Sequence, residues 1–154
     1  ILLFFATAQP ASAQELLRDS ETELLFKQVS TPLIAAAGLD PKSVKVVLLR
    51  DDSINAFVAT GQVVYIHSGL LTSADNVNQL QGVIAHELGH VWISTHHPYL
   101  QTEKLANQIA MRVVTRESLD SVYGKVWPDA AAQGPLPRFP QTPAAELAAA
   151  DPQN

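Results

Sequence analysis

The stretch that most constrains this chain runs from residue 77 to about residue 95. Val77, Leu80, Ile84, Leu88 and Val91 recur there at spacings of three and four, which predicts one buried stripe on an α-helix. Within it stands His86-Glu87-Leu88-Gly89-His90. Residues four apart on a helix are separated by roughly 40° around the axis and about 6 Å along it. His86 and His90 can therefore aim two imidazole nitrogens at one tetrahedral Zn²⁺. Glu87 sits one position on, beside such an ion and not on it, where its carboxylate takes a proton from zinc-bound water. The apolar stripe leaves this face free. A chance order of residues on a surface helix is the bland alternative, and five histidines in the whole chain make it a poor one. Gly89 costs the helix about 1 kcal/mol against Ala unless another segment passes close there.

A catalytic zinc needs a third protein ligand, and the sequence leaves the choice open. His96 lies six residues after His90, but a continuing helix carries it about 9 Å further along, onto another face. Glu103 opens the next helical pattern, and a short turn at Pro98 would bring it back antiparallel to His90. Glu117 is too far along to be delivered by a tight hairpin and is expected in solvent. The remaining possibility is that no third ligand is present.

Around this helix the pattern is mixed. Residues 14–38 read as two helices, with Leu24, Leu25 and Val29 as the apolar stripe of the first. Thr31-Pro32 would start the second, and Gly38 would end it. Strands are predicted at 44–49, 54–59 and 63–67, the last two joined by a turn at Gly61. Two antiparallel strands beside helices indicate an α+β domain without a parallel sheet. Thr72 to Asp75 supplies a start for the motif helix, and a further helix is expected from Glu103 to about Leu119.

The ends read differently. Ile1 to Ala6 is apolar, Gln9-Pro10 breaks the run, and Ala11-Ser12-Ala13 follows, the pattern of a signal peptide remnant over residues 1–13. The mature domain then spans residues 14–127, and export to the periplasm follows. Six of the ten prolines lie in residues 128–154, which reads as a mobile Pro/Ala-rich tail. A net charge of −5 gives no basic footprint, so nucleic acid is excluded as a partner. No apolar run is long enough for a transmembrane segment, and the absence of cysteine removes disulfide and thiol chemistry.

Several segments accompany the motif in a fixed order: Ser53-Ile54-Asn55-Ala56-Phe57-Val58, Gly61-Gln62, Tyr65-Ile66, Gly69-Leu70-Leu71, Gln79-Leu80 and Gly82-Val83-Ile84-Ala85. Over about residues 15–92 this resembles the BepA-like periplasmic branch of the zinc peptidases that also include the CAAX prenyl protease and HtpX. The resemblance implies a gluzincin core in which the motif helix packs on a small antiparallel sheet. It also implies zinc-dependent endopeptidase cleavage of exported proteins, with His86 and His90 as ligands and Glu87 as general base. The substrate would be an extended polypeptide, and outer-membrane assembly components are implied as partners.

In that family the third ligand is a Glu on an E-x-x-A-D-type helix, usually many tens of residues downstream. Glu103-Lys104-Leu105-Ala106-Asn107 resembles that helix, with Asn where the Asp should stand and a far shorter spacing. A rival alignment sets residues 97–100 and 123–125 after a missing region, so that the Glu-bearing part is lost by deletion or frameshift. The chain would then be a catalytically weak remnant, acting as a peptide-binding or chaperone-like domain.

Overall fold

The computed structural model describes residues 15–16, 20–60, 62–99, 102–132 and 134–135. The signal peptide expectation for residues 1–13 and most of the proline-rich tail lie outside them. A short strand, β1 (Glu15–Leu16), precedes helix α1 (Ser20–Ala36). Three strands follow, β2 (Lys45–Arg50), β3 (Ala56–Ala59) and β4 (Val63–His67). The remainder is helical: α2 (Ser68–Ser73), α3 (Val77–His96), α4 (Glu103–Val113), α5 (Arg116–Val126) and α6 (Pro128–Ala132). Helices beside one small sheet make the chain α+β, as expected.

The expected antiparallel sheet needs correction. The strand order is β1-β2-β4-β3, and β2 pairs with β4 in parallel, while β1–β2 and β3–β4 are antiparallel. Val64 and Ile66 of β4 are completely buried, and a strand this apolar takes the interior of a sheet. β4 therefore inserts between β2 and β3 and leaves β3 on the edge, above α3.

Other local expectations also give way to packing. Residues 20–36 form one helix, and Pro32 stands inside it. Proline in a helix interior forfeits one backbone bond at a cost of about 3 kcal/mol. Continuity here keeps Phe26, Ser30, Leu33 and Ile34 together on one buried face. Leu24 and Leu25 are exposed, so the stripe that Leu24, Leu25 and Val29 suggested is displaced. Gly38 does end the helix: at φ 74° it lets its own N–H reach Ala35 O and the Leu39 N–H reach Ile34 O, and Leu39 packs in the same core as Ile34. Val77 is exposed, and α3 is capped by Asn76, whose side chain accepts from the Gln79 N–H, and not from within 72–75. The helix expected over 103–119 is two helices, because Thr115 caps a new one by accepting from the Ser118 N–H.

α3 is the centre of the molecule. It was expected to bury one stripe, yet it is buried on nearly every side, with Leu80, Val83, Ile84, Leu88 and Val91 in the main core. Its second buried side is made of small residues. A Cβ on Gly82 would lie 2.7 Å from Ser118 O, and one on Gly89 would lie 2.6 Å from Ala106 O. The missing side chains let α5 and α4 sit directly on α3. Ala110 packs with Ala85 as Ala106 does with Gly89, so α4 runs back along α3. The cost of Gly89 to the helix is offset by this approach, the circumstance the sequence required of it.

Candidate metal and peptidase site

α3 projects the neighbours His86 and Glu87, and His90 one turn on, below the β3 edge. The His86 and His90 Nε2 atoms are 3.1 Å apart. Pro98 lies in the turn that reverses the chain after α3, and Thr102 then caps α4 by accepting from the Leu105 N–H. That turn delivers Glu103. Its Oε2 lies 3.1 Å from His86 Nε2 and its Oε1 lies 3.4 Å from His90 Nε2. Two imidazole nitrogens and a carboxylate oxygen thus lie within 4.8 Å of one another.

His96 is elsewhere. Its Nδ1 is 2.9 Å from Trp92 O, and its ring stacks on Trp92. Glu117 is exposed, as expected. Among nearby polar residues, three stay outside the site: Tyr99 is 98% exposed, and His97 packs beside Trp92. The third, Arg112, has one guanidinium nitrogen buried without a partner among the described residues. None of the three lines the cleft over His86.

Burial sorts the electrostatics. Glu87 is 4% exposed, and desolvation raises its carboxyl above the ordinary value, partly offset by His86 and His90. Glu103 is largely open to solvent, and hydrogen bonds from His86 and His90 hold its carboxyl well below the usual range. Neighbouring acids on one site are thus pushed apart, Glu87 towards holding a proton and Glu103 towards permanent charge. Tyr123, on α5, has its phenol raised by burial and by the charge of Glu103.

Asn107 lies one turn after Glu103 and is buried. Its Oδ1 is 2.8 Å from His86 Nδ1. An amide oxygen can only accept, so His86 donates its Nδ1–H to Asn107; when the ring is neutral, Nε2 on the side of His90 and Glu103 is then the nitrogen left without a proton. This is the tautomer a metal ligand requires, and the donor set, two neutral imidazoles and a carboxylate facing a cleft, suits Zn²⁺.

The cleft above these residues has a volume of about 990 Å³. The whole of β3 forms one side of it, and Glu87, Ser94, Thr95 and Trp127 contribute to the rest. Sequence reasoning missed Trp127, whose indole lies 4.3 Å from the His86 ring, centroid to centroid. A lone Trp just before Pro128 carries no periodic signal that would have marked it.

The model of peptidase family M48 matches residues 20–134. The chain belongs to peptidase family M48. This match extends past residue 92, where the resemblance read from sequence had been taken to fade, and it includes α4 and α5. The chain is also similar to the beta-barrel assembly-enhancing proteases of Escherichia coli (strain K12) and Shigella flexneri, each 48% identical over 44 residues. The corresponding protein of Yersinia pestis is 46% identical over the same length. In each case the match takes in 29% of this chain and 9% of the relative, so the chain spans only a small part of the relatives it matches. Asn107 stands where the resemblance led an Asp to be expected after Ala106. Among the described residues, no helix is long and apolar enough to cross a membrane.

Proposed function

We propose that this M48 domain is a zinc-dependent endopeptidase whose metal is held by His86, His90 and Glu103, with Glu87 as the general base. The observation that carries this reading is the convergence of Glu103 on the two histidines from a separate helix. The remnant reading, a peptide-binding domain without a metal site, has no comparable observation in its favour. Zn²⁺ bound by these residues supplies Lewis acidity, which polarises a carbonyl and acidifies a water.

The protein's own groups do the rest. An extended peptide lies along β3, because among the described residues that strand is the edge over the site while β4 is enclosed by β2 and β3. Glu87, one residue from His86, takes a proton from the attacking water and returns it to the departing amide nitrogen. Its buried position and raised carboxyl suit a group that must hold that proton between the two transfers. Asn107 fixes the His86 tautomer throughout. The core of the domain is of gluzincin type, with residues 14–127 sufficient for it. The N-terminal pattern of residues 1–13 directs it to the periplasm, where exported proteins are the substrates and outer-membrane assembly components are partners.

The test is Glu87→Gln, assayed for zinc content and for cleavage of an unfolded protein such as reduced, carboxymethylated casein. Activity is expected to vanish while zinc content stays almost unchanged. If zinc falls in parallel with activity, the role given to Glu87 is wrong.

A further inference from the structure

The His86 ring is constrained on more sides than ligation alone explains. Asn107 holds its Nδ1 at 2.8 Å, and the His90 ring stands edge-on at 4.8 Å. The Trp127 indole covers it at 4.3 Å with an interplanar angle of 46°. A hydrogen bond at one nitrogen fixes which way a ring turns but leaves it free to rock about that bond. An indole tilted across the ring at contact distance restricts that rocking.

Trp127 is itself held firmly. It caps the end of α5, donates its backbone N–H to Tyr123 O, and packs against both the main core and the small cluster of Ala85, Ala110, Met111 and Leu119. The Tyr123 ring backs it at 5.7 Å. α5 in turn is locked to α3 by the close approach at Gly82, by Gln79 donating to Ser121 O, and by Lys125 donating to Asp75 and to Ser73 O. A residue serving only as core would be enclosed on all sides. Trp127 is only partly buried, and its open side lines the cleft beside Glu87.

We infer that Trp127 is a positioning residue for the metal site: it holds the His86 imidazole in the ligating orientation and couples α5 to metal binding. This rests on the reading of His86, His90 and Glu103 as the zinc site. Supporting groups of this kind typically change metal affinity about 10–100-fold.

The experiment uses the whole chain and Zn²⁺ itself, with affinity measured by competition against a chelating dye. Trp127→Ala is expected to weaken Zn²⁺ binding by about tenfold or more, and Trp127→Phe, which keeps a flat ring, to recover most of that loss. Thermal melting of the metal-free variants shows whether each is folded. The second readout is fluorescence, since Trp92 and Trp127 are the two tryptophans of the chain. The emission change on adding Zn²⁺ should persist in Trp92→Phe and be lost in Trp127→Phe. Equal affinity in a folded Trp127→Ala, or an emission change that follows Trp92, would overturn the inference while leaving the zinc site intact. If the unaltered chain binds no Zn²⁺, the site assignment itself fails. Should Trp127→Ala not fold, the two emission measurements still decide.

Discussion

The two halves of the site are built on opposite principles. α3 supplies His86, Glu87 and His90 from one helix buried on nearly every side, and the spacing of the chain alone puts them together. α4 supplies Glu103 and Asn107 from a hairpin, and their placement depends on how closely α4 approaches Gly89. Glu103 itself is largely exposed, whereas Asn107 beneath it is buried. The difference teaches that the motif helix is a fixed platform and the α4 side is the adjustable one. Metal affinity should therefore respond chiefly to changes on α4 and at its contact with Gly89.

The strongest way to break this asymmetry is at that contact. Gly89→Val places carbon against the Ala106 backbone and must push α4 away. A loss of about 3 kcal/mol is expected, seen as a melting temperature lower by several degrees, together with loss of Zn²⁺ affinity. Retained affinity in this variant would mean that Glu103 does not need the tight hairpin.

A smaller and opposite effect is expected from Asn107→Asp. Asn107 accepts from His86 without charge, and a carboxylate there would make the imidazole a stronger donor to the metal. Zn²⁺ affinity should tighten by about tenfold, measured by the same dye competition. Unchanged or weaker binding would show that the amide is already the better partner in this buried place.

Gly124 provides the control for Gly89. It lies within α5, and a Cβ there would meet nothing within 4 Å. Gly124→Ala should stabilise the fold by up to about 1 kcal/mol through helix propensity, with zinc affinity unaffected. Destabilisation of that variant would mean α5 needs a flexible point ahead of Trp127.

The smallest effect concerns the tie between α5 and the start of α3. Lys125 and Gln79 hold the Asp75 carboxyl below its ordinary value of 3.8. A lowered carboxylate contributes stability that is present above that ordinary value and is lost as the pH falls below it. Asp75→Asn should flatten this part of the acid limb in a melting-temperature profile, and it should leave neutral-pH zinc binding alone. An unchanged acid limb would show that the exposed pair contributes nothing.

How much of this was legible follows the same division. The α3 pair needed only a 3.6-residue period, and the strand at 63–67 needed only its β-branched run and the turn before it. Gly89 announced a close neighbour without naming it. Glu103 was one of three candidate ligands because sequence spacing does not say whether six residues after α3 make a hairpin. The sheet order was not legible, since pairing strands in chain order ignores which one is apolar enough to be enclosed. Pro32 misled because a local rule for starting helices lost to four buried side chains on one face. Trp127 was invisible because its partner, His86, lies 41 residues away in sequence and is brought near only by α5 docking at Gly82.

The central claim is that the α4 hairpin completes a zinc site begun on α3. Zn²⁺ titration of the unaltered chain beside Glu103→Ala and His96→Ala tests it most directly. Tight one-to-one binding is expected for the unaltered chain and for His96→Ala, with a large loss in Glu103→Ala alone. Equally weak binding in all three would contradict the account, because Glu103 would then lie beside the histidines without serving as their third partner.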